Sequence, residues 1–282
     1  MRETKAEYLR IEKLHPFDGH PFKVVDNEEM DQLVESIRTQ GVLNPVVVRL
    51  IESGEYEVIS GHRRLHACKK AGMETIPALV TNMDRDAAAI ALVDSNLHRE
   101  HILPSEKAFA YKLKLEALKK QGQRTDLTSR QVVGKLETAD MIADGESGRQ
   151  VQRYIRLTHL IPEILQMVDD RKIALTPAVD ISYLTKKEQE DLLETMECED
   201  CTPSVSQAIR MKQLSQAGEL DVYTIFDILT QKKANQHEKI SFKVSDLRSY
   251  FPRSYTASQM TREIIKALEF LRQRWEQNRD SR

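Results

Sequence analysis

The chain has 282 residues, with 40% hydrophobic residues, 30% charged residues, 10 Gly, 9 Pro and a net charge of -2. That composition excludes collagen-like, low-complexity and wholly disordered classes, and the length predicts about two domains. No stretch approaches the about 20 apolar residues a membrane helix needs, and the charged start from Met1 to Leu9 lacks the apolar centre of a secretion signal.

Three cysteines cannot build a disulfide framework. Cys198 and Cys201 form a lone C-x-x-C among Glu197, Glu199 and Asp200, whose carboxylates disfavour a thiolate, so a reduced surface loop and a cytoplasmic home are expected. Charge is unevenly spread. Residues 105–160 hold 11 Lys and Arg against 7 Asp and Glu; residues 230–282 hold 12 against 6; the remainder holds 19 against 31. Two basic segments in an acidic chain suit phosphate-bearing partners while limiting indiscriminate binding.

In chain order, an apolar run leads into His15-Pro16-Phe17-Asp18-Gly19-His20-Pro21-Phe22-Lys23, read as an irregular loop. Asn27 caps a helix whose Met30, Leu33, Val34 and Ile37 recur at helical spacing, and Gly41 ends it. Val46 to Val48 is a strand, Glu52-Ser53-Gly54 a turn, and Tyr56 to Ile59 the returning strand. A helix from Arg63 to Lys70 ends at Gly72, a strand covers Ile76 to Val80, and a helix covers Asp84 to Leu97. Strand signals then nearly vanish. A helix starts at Pro104-Ser105-Glu106, Gly122 to Asp126 is a loop, and short helices follow with caps at Thr128, Ser147, Thr185 and Ser204. Gln216 to Asp221 is a linker. Beyond it come a helix, a short strand over Ile240 to Val244, and a long basic helix from Ser258 to Gln277. The expected organisation is an α+β domain over 1–104, an all-α domain over 105–217 and a mainly helical tail over 218–282.

Two polar clusters carry chemistry. Ser60-Gly61-His62-Arg63-Arg64 ends a strand in glycine and opens a helix with two arginines. Free N–H groups and the dipole at such a helix start attract an anion, and guanidinium forks suit phosphate oxygens. Asp94-Ser95-Asn96-Leu97-His98-Arg99-Glu100 offers amide, cation and carboxylate, a set that suits phosphate and a hydrated Mg²⁺. Each pattern has an ordinary alternative: surface arginines bonded to carboxylates, or a polar helix terminus.

A third cluster reads helix, Gly145, Ser147, then a second helix. Val151, Tyr154, Ile155 and Leu157 face inward there. Arg149, Gln150, Gln152, Arg153 and Arg156 fall largely elsewhere, and Arg and Gln are the residue types that read base edges in the major groove. With Ser147 as cap, this is a candidate helix-turn-helix over 138–160, and double-stranded DNA is its expected partner.

Gly41-Val42-Leu43-Asn44-Pro45-Val46-Val47-Val48-Arg49, the Gly61–Arg64 motif, Asn96–Glu100 and Leu103-Pro104-Ser105-Glu106-Lys107-Ala108, in this order, resemble the ParB family of chromosome and plasmid partition proteins. The resemblance covers residues 8–215, about three quarters of the chain. It implies an N-terminal domain with the ParB and sulfiredoxin-like fold that binds CTP and Mg²⁺ and closes as a gate, making the dimer a DNA clamp. Carried residue by residue, it implies nucleotide contacts at Lys23, Gly61, His62, Arg63, Arg64, Asn96, Arg99 and Glu100, with Asn96 near the metal. It also implies a helix-turn-helix domain, a homodimer, a Walker-type ParA-like ATPase contacting an N-terminus that carries Arg2, Lys5 and Arg10, and a bacterial, nucleoid- or plasmid-associated location. A plasmid or mobile-element member is the expectation.

This chain has His62 and Ser95 where the family usually has Glu, so CTP hydrolysis is left open, at most as a weak CTPase. Lys23 stands where the family often has arginine. The tail resembles no chromosomal member closely. Its Met260, Ile264, Ile265, Leu268 and Leu271 form an apolar stripe suited to dimerisation, with Trp275 beyond, and Arg262, Lys266, Arg272, Arg274 and Arg279 on other faces suit DNA phosphates. Two rival readings are a ParB-fold nuclease using His62, His66, His98 or His101, and a helix-turn-helix regulator without nucleotide binding. Sulfiredoxin itself places a catalytic Cys within G-C-H-R, and this chain has Ser60-Gly61-His62-Arg63 instead.

Overall fold

The computed structural model describes residues 6–99, 101–125, 146–231, 247, 250–252 and 255–279. It divides into a unit of residues 1–231 and a unit of residues 232–282.

The first unit opens with β1 (Glu7–Arg10), a single 3-10 turn (Ile11–Lys13) and β2 (Leu14–Pro16). β2 runs into the segment from His15 that the sequence reads as loop, and β1 precedes the first element expected from sequence. Neither has a pattern of its own; each is an edge strand held by a longer neighbour. Then come α1 (Glu28–Gln40), β3 (Val46–Leu50), β4 (Tyr56–Ser60), α2 (His62–Ala71), β5 (Thr75–Thr81) and α3 (Arg85–Leu97). The sheet order is β1-β5-β3-β4-β2. β1 runs antiparallel to β5, β3 parallel to β5 and antiparallel to β4, and β2 parallel to β4.

Strand alternation sorts the two faces. Val46, Val48 and Val58 pack with Met30, Val34, Ile37 and Leu65 beneath α1 and α2. Ile59, with Val47 beside it, packs with Phe17, Phe22, Leu92 and Val93 on the opposite face. Asn27 caps α1 by accepting from the Met30 N–H, and Asp84 caps α3 by accepting from the Ala87 N–H, as their residue types predict. Leu92 is fully buried, and truncation of such a leucine costs about 2–5 kcal/mol.

The helical part begins with α4 (Pro104–Thr125). It continues through Gly122 to Thr125, so the loop expected there does not occur over those residues; the long helix carries its one glycine at the end. α5 (Gly148–Arg156), a 3-10 turn (Leu157–His159), α6 (Pro162–Asp169), α7 (Leu175–Ile181), α8 (Lys186–Cys198), α9 (Val205–Ala217) and α10 (Val222–Thr230) follow. Ser147, Thr185 and Ser204 are caps, the last two as full capping boxes. Ile225, Ile228 and Leu229 of α10 are buried in one core with Leu192 and Met211, which places this helix with the first unit. Thr128, residues 138–145 and Ile240 to Val244 lie outside the described residues.

Two carboxylates fix the start of α4. Asp169 accepts from the Ser105 amide at 2.9 Å and its hydroxyl at 2.6 Å. Glu106 accepts from the Lys23 and Leu103 amides at 2.8 and 3.0 Å. In the second unit, α11 (Ala257–Arg279) buries Met260 and exposes Ile265, Leu268 and Leu271. No described helix is long and apolar enough to cross a membrane.

Candidate nucleotide and nucleic-acid sites

A bulge prepares the first site. Val48 pairs with Val58 but Val47 pairs with Ser60, so Ile59 is an extra residue on β4. Such a bulge bends a strand and re-aims the next residues. Gly61 comes next at φ 103, a conformation glycine adopts without strain, and a Cβ there would lie 2.7 Å from Val46 Cγ1. α2 then starts with no side-chain cap and no acidic residue in its first turn. The turn carries cations instead, a locally unfavourable placement that an incoming anion reverses.

His62, the first residue of α2, accepts the Phe17 N–H at Nε2 over 3.3 Å. Its ring lies 3.7 Å from that of His20, centroid to centroid. Burial, then the charges of His20 and Arg99, push the His62 imidazole down to about 3. His20 also packs edge-on against Phe22 at 5.7 Å. Burial lowers its pKa against a backbone hydrogen bond with Phe22, and its Nε2 is buried without a hydrogen-bond partner. Arg99 stands 5.6 Å from the Phe22 ring, and burial and the charge of Arg63 weaken its hold on its proton while Glu106 opposes them. Arg63 donates to Glu29 of α1 at 3.1 Å.

Gly61, His62, Arg63 and Arg99 therefore come together. The other expected nucleotide residues do not face the same way. Arg64 Nη1 donates to the carbonyls of Asn44 and Pro45 at 2.5 and 2.7 Å. Lys23 Nζ is 3.6 Å from Asp169 of α6. Asn96 is buried, with its amide donating to the Leu92 carbonyl at 2.7 Å and to Ser95 Oγ at 3.2 Å. The Ser95 hydroxyl also donates to Leu92. Glu100 lies outside the described residues. His20 and Phe22 escaped sequence reasoning because an X-Pro-rich loop has no period to align them; their aromatic density was the one available signal.

Among the described residues no group of three or more His, Cys, Asp or Glu could hold a metal ion. A Mg²⁺ ion would fit here as one carried by phosphate oxygens and water. Of the histidines considered for a nuclease, His66 sits 3.0 Å from Asp26 Oδ1. Cys68 is buried, which raises its thiol pKa, and Cys201 packs against the helical core.

The second site is α5. Ser147 Oγ accepts the Gln150 N–H, while Gly148 and Val151 are buried. Arg149 is exposed, and Gln150 and Gln152 are half-buried. Arg153 donates to Gln150 Oε1 at 3.2 Å and to Thr176 of α7 at 2.8 Å. Arg156 donates to the Ser182 hydroxyl and carbonyl at 3.1 and 2.7 Å, and stacks 3.9 Å from the Tyr183 ring centroid. Lys212 of α9 is at 3.9 Å from the same ring. Arg156 thus ties α5 to the turn after α7, and Arg149 is the arginine of the helix left exposed to solvent.

A strand–glycine–helix turn on a small mixed sheet, followed by a helical part with a polar α5, defines the class of fold. A family model for the ParB N-terminal domain matches residues 1–97. A probable chromosome-partitioning protein ParB of Vibrio cholerae is 28% identical over 248 residues, 88% of this chain and 79% of that protein. A nucleoid occlusion protein of Halalkalibacterium halodurans is 31% identical over 213 residues, 75% of this chain and 67% of that protein. The chain spans 60% of the Listeria monocytogenes nucleoid occlusion protein it matches at 32% identity. Among solved structures, C-terminally truncated ParB of Caulobacter crescentus complexed to the centromeric parS site aligns at a TM-score of 0.41 and 22% identity, over 80% of this chain and 100% of that one. The chain belongs to the ParB family.

Proposed function

We propose that this chain is a site-specific DNA-binding partition protein whose N-terminal part binds CTP with Mg²⁺. The observation that carries the nucleotide reading is the gathering of Arg63, Arg99 and two histidines at the uncapped, acid-free start of α2. Gly61 lets phosphate approach the free N–H groups, and Arg63 exchanges Glu29 for phosphate oxygens. Arg64 positions the Asn44–Pro45 loop, and Mg²⁺ arrives with the phosphates. In the helical part, Arg149, Gln150, Gln152 and Arg153 meet DNA, with Ser147 offering the start of α5 to a phosphate and Arg156 holding the helix in place. α11 brings two copies together through Ile265, Leu268 and Leu271, and a ParA-like ATPase is the partner of the N-terminus. The DNA is carried in a nucleoid or plasmid. A second reading, a DNA-binding regulator without nucleotide, is favoured by the internal hydrogen bonds that already occupy Arg64 and Asn96.

Calorimetric titration of CTP, ATP, GTP and UTP with Mg²⁺ separates the two. Selective CTP binding supports the clamp, and binding of none of the four leaves the regulator. Selection from a random duplex pool identifies the DNA site. On that site Arg149→Ala is expected to cost about 1–3 kcal/mol of affinity with little change in Tm. Arg156→Ala is expected to lower Tm, because the Ser182 carbonyl and hydroxyl lose their donor. Full DNA affinity in Arg149→Ala removes α5 as the reading helix.

A further inference from the structure

His20 is half-buried beside this site, and the nucleotide reading gives its ring no contact of its own. Its Nε2 is buried with no hydrogen-bond partner, and burial lowers the pKa of the ring. In His62, by contrast, Nε2 accepts the Phe17 N–H, which leaves Nδ1 to carry the proton of the neutral ring. The two rings lie 3.7 Å apart, tilted by 40°, and one of them has an unpartnered nitrogen.

We propose that His20 and His62 form a proton-accepting wall of the anion site, so that a nucleoside triphosphate binds with uptake of one proton. The proposal rests on the nucleotide reading. It adds His20 as a binding residue and makes affinity depend on pH.

The charged groups around the pair set the sign. Arg63 from α2 and Arg99 from the end of α3 are both cations, and Arg99 disfavours protonation of either ring. The nearby carboxylates are committed elsewhere: Glu29 to Arg63, Glu57 to the Asp18 amide and Arg49, and Glu106 to the Lys23 and Leu103 amides. In the free protein burial and Arg99 bias both rings toward the neutral form. A polyanion against Arg63 and Arg99 offsets their repulsion and attracts a proton from solvent to His20. The protonated ring is a charge-assisted donor to a phosphate oxygen. The second ring, in contact with the first, stays neutral, which limits the uptake to one.

The test is calorimetric titration of the full chain with Mg²⁺-saturated CTP, in buffers of differing ionisation enthalpy, from about pH 5.5 to about pH 8.5. One proton taken up corresponds to an about tenfold loss of affinity per pH unit at the steepest point. The nucleotide's own titration is common to all proteins and cancels in the comparison with variants. His20→Phe keeps a ring against His62 and His62→Gln keeps an acceptor for Phe17, so both variants have a route to a folded state, checked by circular dichroism. The expected result is an uptake near one proton in the natural chain and a flat pH dependence in His20→Phe. In His62→Gln the uptake persists, because His20 remains and the opposing second ring is gone. Nucleotide binding without this uptake, or uptake retained in His20→Phe, overturns the proposal and leaves the nucleotide reading intact. Absence of binding to any triphosphate across the range overturns both.

Discussion

Arg64 reaches from α2 to Pro45, donating from Nη1 to its carbonyl at 2.7 Å, and the same nitrogen bonds the Asn44 carbonyl at 2.5 Å. The two ends of this tie lie 19 residues apart. One is the helix turn just after Gly61, and the other is the loop that feeds β3. Arg64 is also close to the position a Cβ on Gly61 would occupy, at 3.2 Å. The Gly61 turn and the β3 entry are therefore one mechanical piece.

Arg64→Ala removes a charged donor shared by two carbonyls and is expected to destabilise the first unit by about 1–3 kcal/mol. Arg64→Lys, with a single ammonium and no fork, recovers part of that. Urea unfolding of both variants measures the effect. A midpoint unmoved in Arg64→Ala shows that the Asn44–Pro45 loop holds without the tie.

Gly61→Ala meets two obstacles: a φ of 103 and a Cβ 2.7 Å from Val46 Cγ1. The expected cost is roughly 2–4 kcal/mol, from backbone strain and from the displacement of Val46. In the double variant Gly61→Ala with Val46→Ala the steric part is relieved, so the two changes combine non-additively by at least about 0.5 kcal/mol. Strict additivity in a thermal unfolding cycle rules out the steric clash.

His62 predicts a particular acid profile. Its folded pKa is about 3 against an ordinary value of 6.5, so the unfolded chain takes up a proton that the folded chain refuses. The stability that neutral His62 supplies is complete above 6.5 and is lost as pH falls from there toward about 3. The slope approaches about 1.4 kcal/mol per pH unit for one proton. Carboxylates such as Asp26, whose folded pKa is lowered by Lys70 and His66, lose their contribution at the acid end of the same range. The informative quantity is thus the difference between the natural chain and His62→Gln in urea midpoints against pH. That difference is expected to shrink as pH falls below 6.5; a constant difference rules out a neutral, proton-refusing His62.

Much of this protein was legible in one dimension because short-range physics wrote it. The Asn27, Ser147, Thr185 and Ser204 caps, the stop at Gly41, the Val46–Val48 strand and the strand–Gly61–helix turn each depend on a few neighbouring residues, and each appears as expected.

Other features needed the folded chain. β1 and β2 are strands because β5 and β4 offer them unpaired edges, not because Glu7–Arg10 or Leu14–Pro16 has a strand period. α10 belongs to the helical core because Ile225, Ile228 and Leu229 find Leu192 and Met211 there. Arg64 and Arg156 have the residue type for phosphate and for bases, but a long flexible side chain goes where tertiary partners accept its protons, and here those are Pro45 and Ser182. His20 meets His62, far from it in sequence, for the same reason. The chain's local chemistry chose which groups were present and how each helix and strand began; only three-dimensional packing, through contacts distant in sequence, chose which way those groups point.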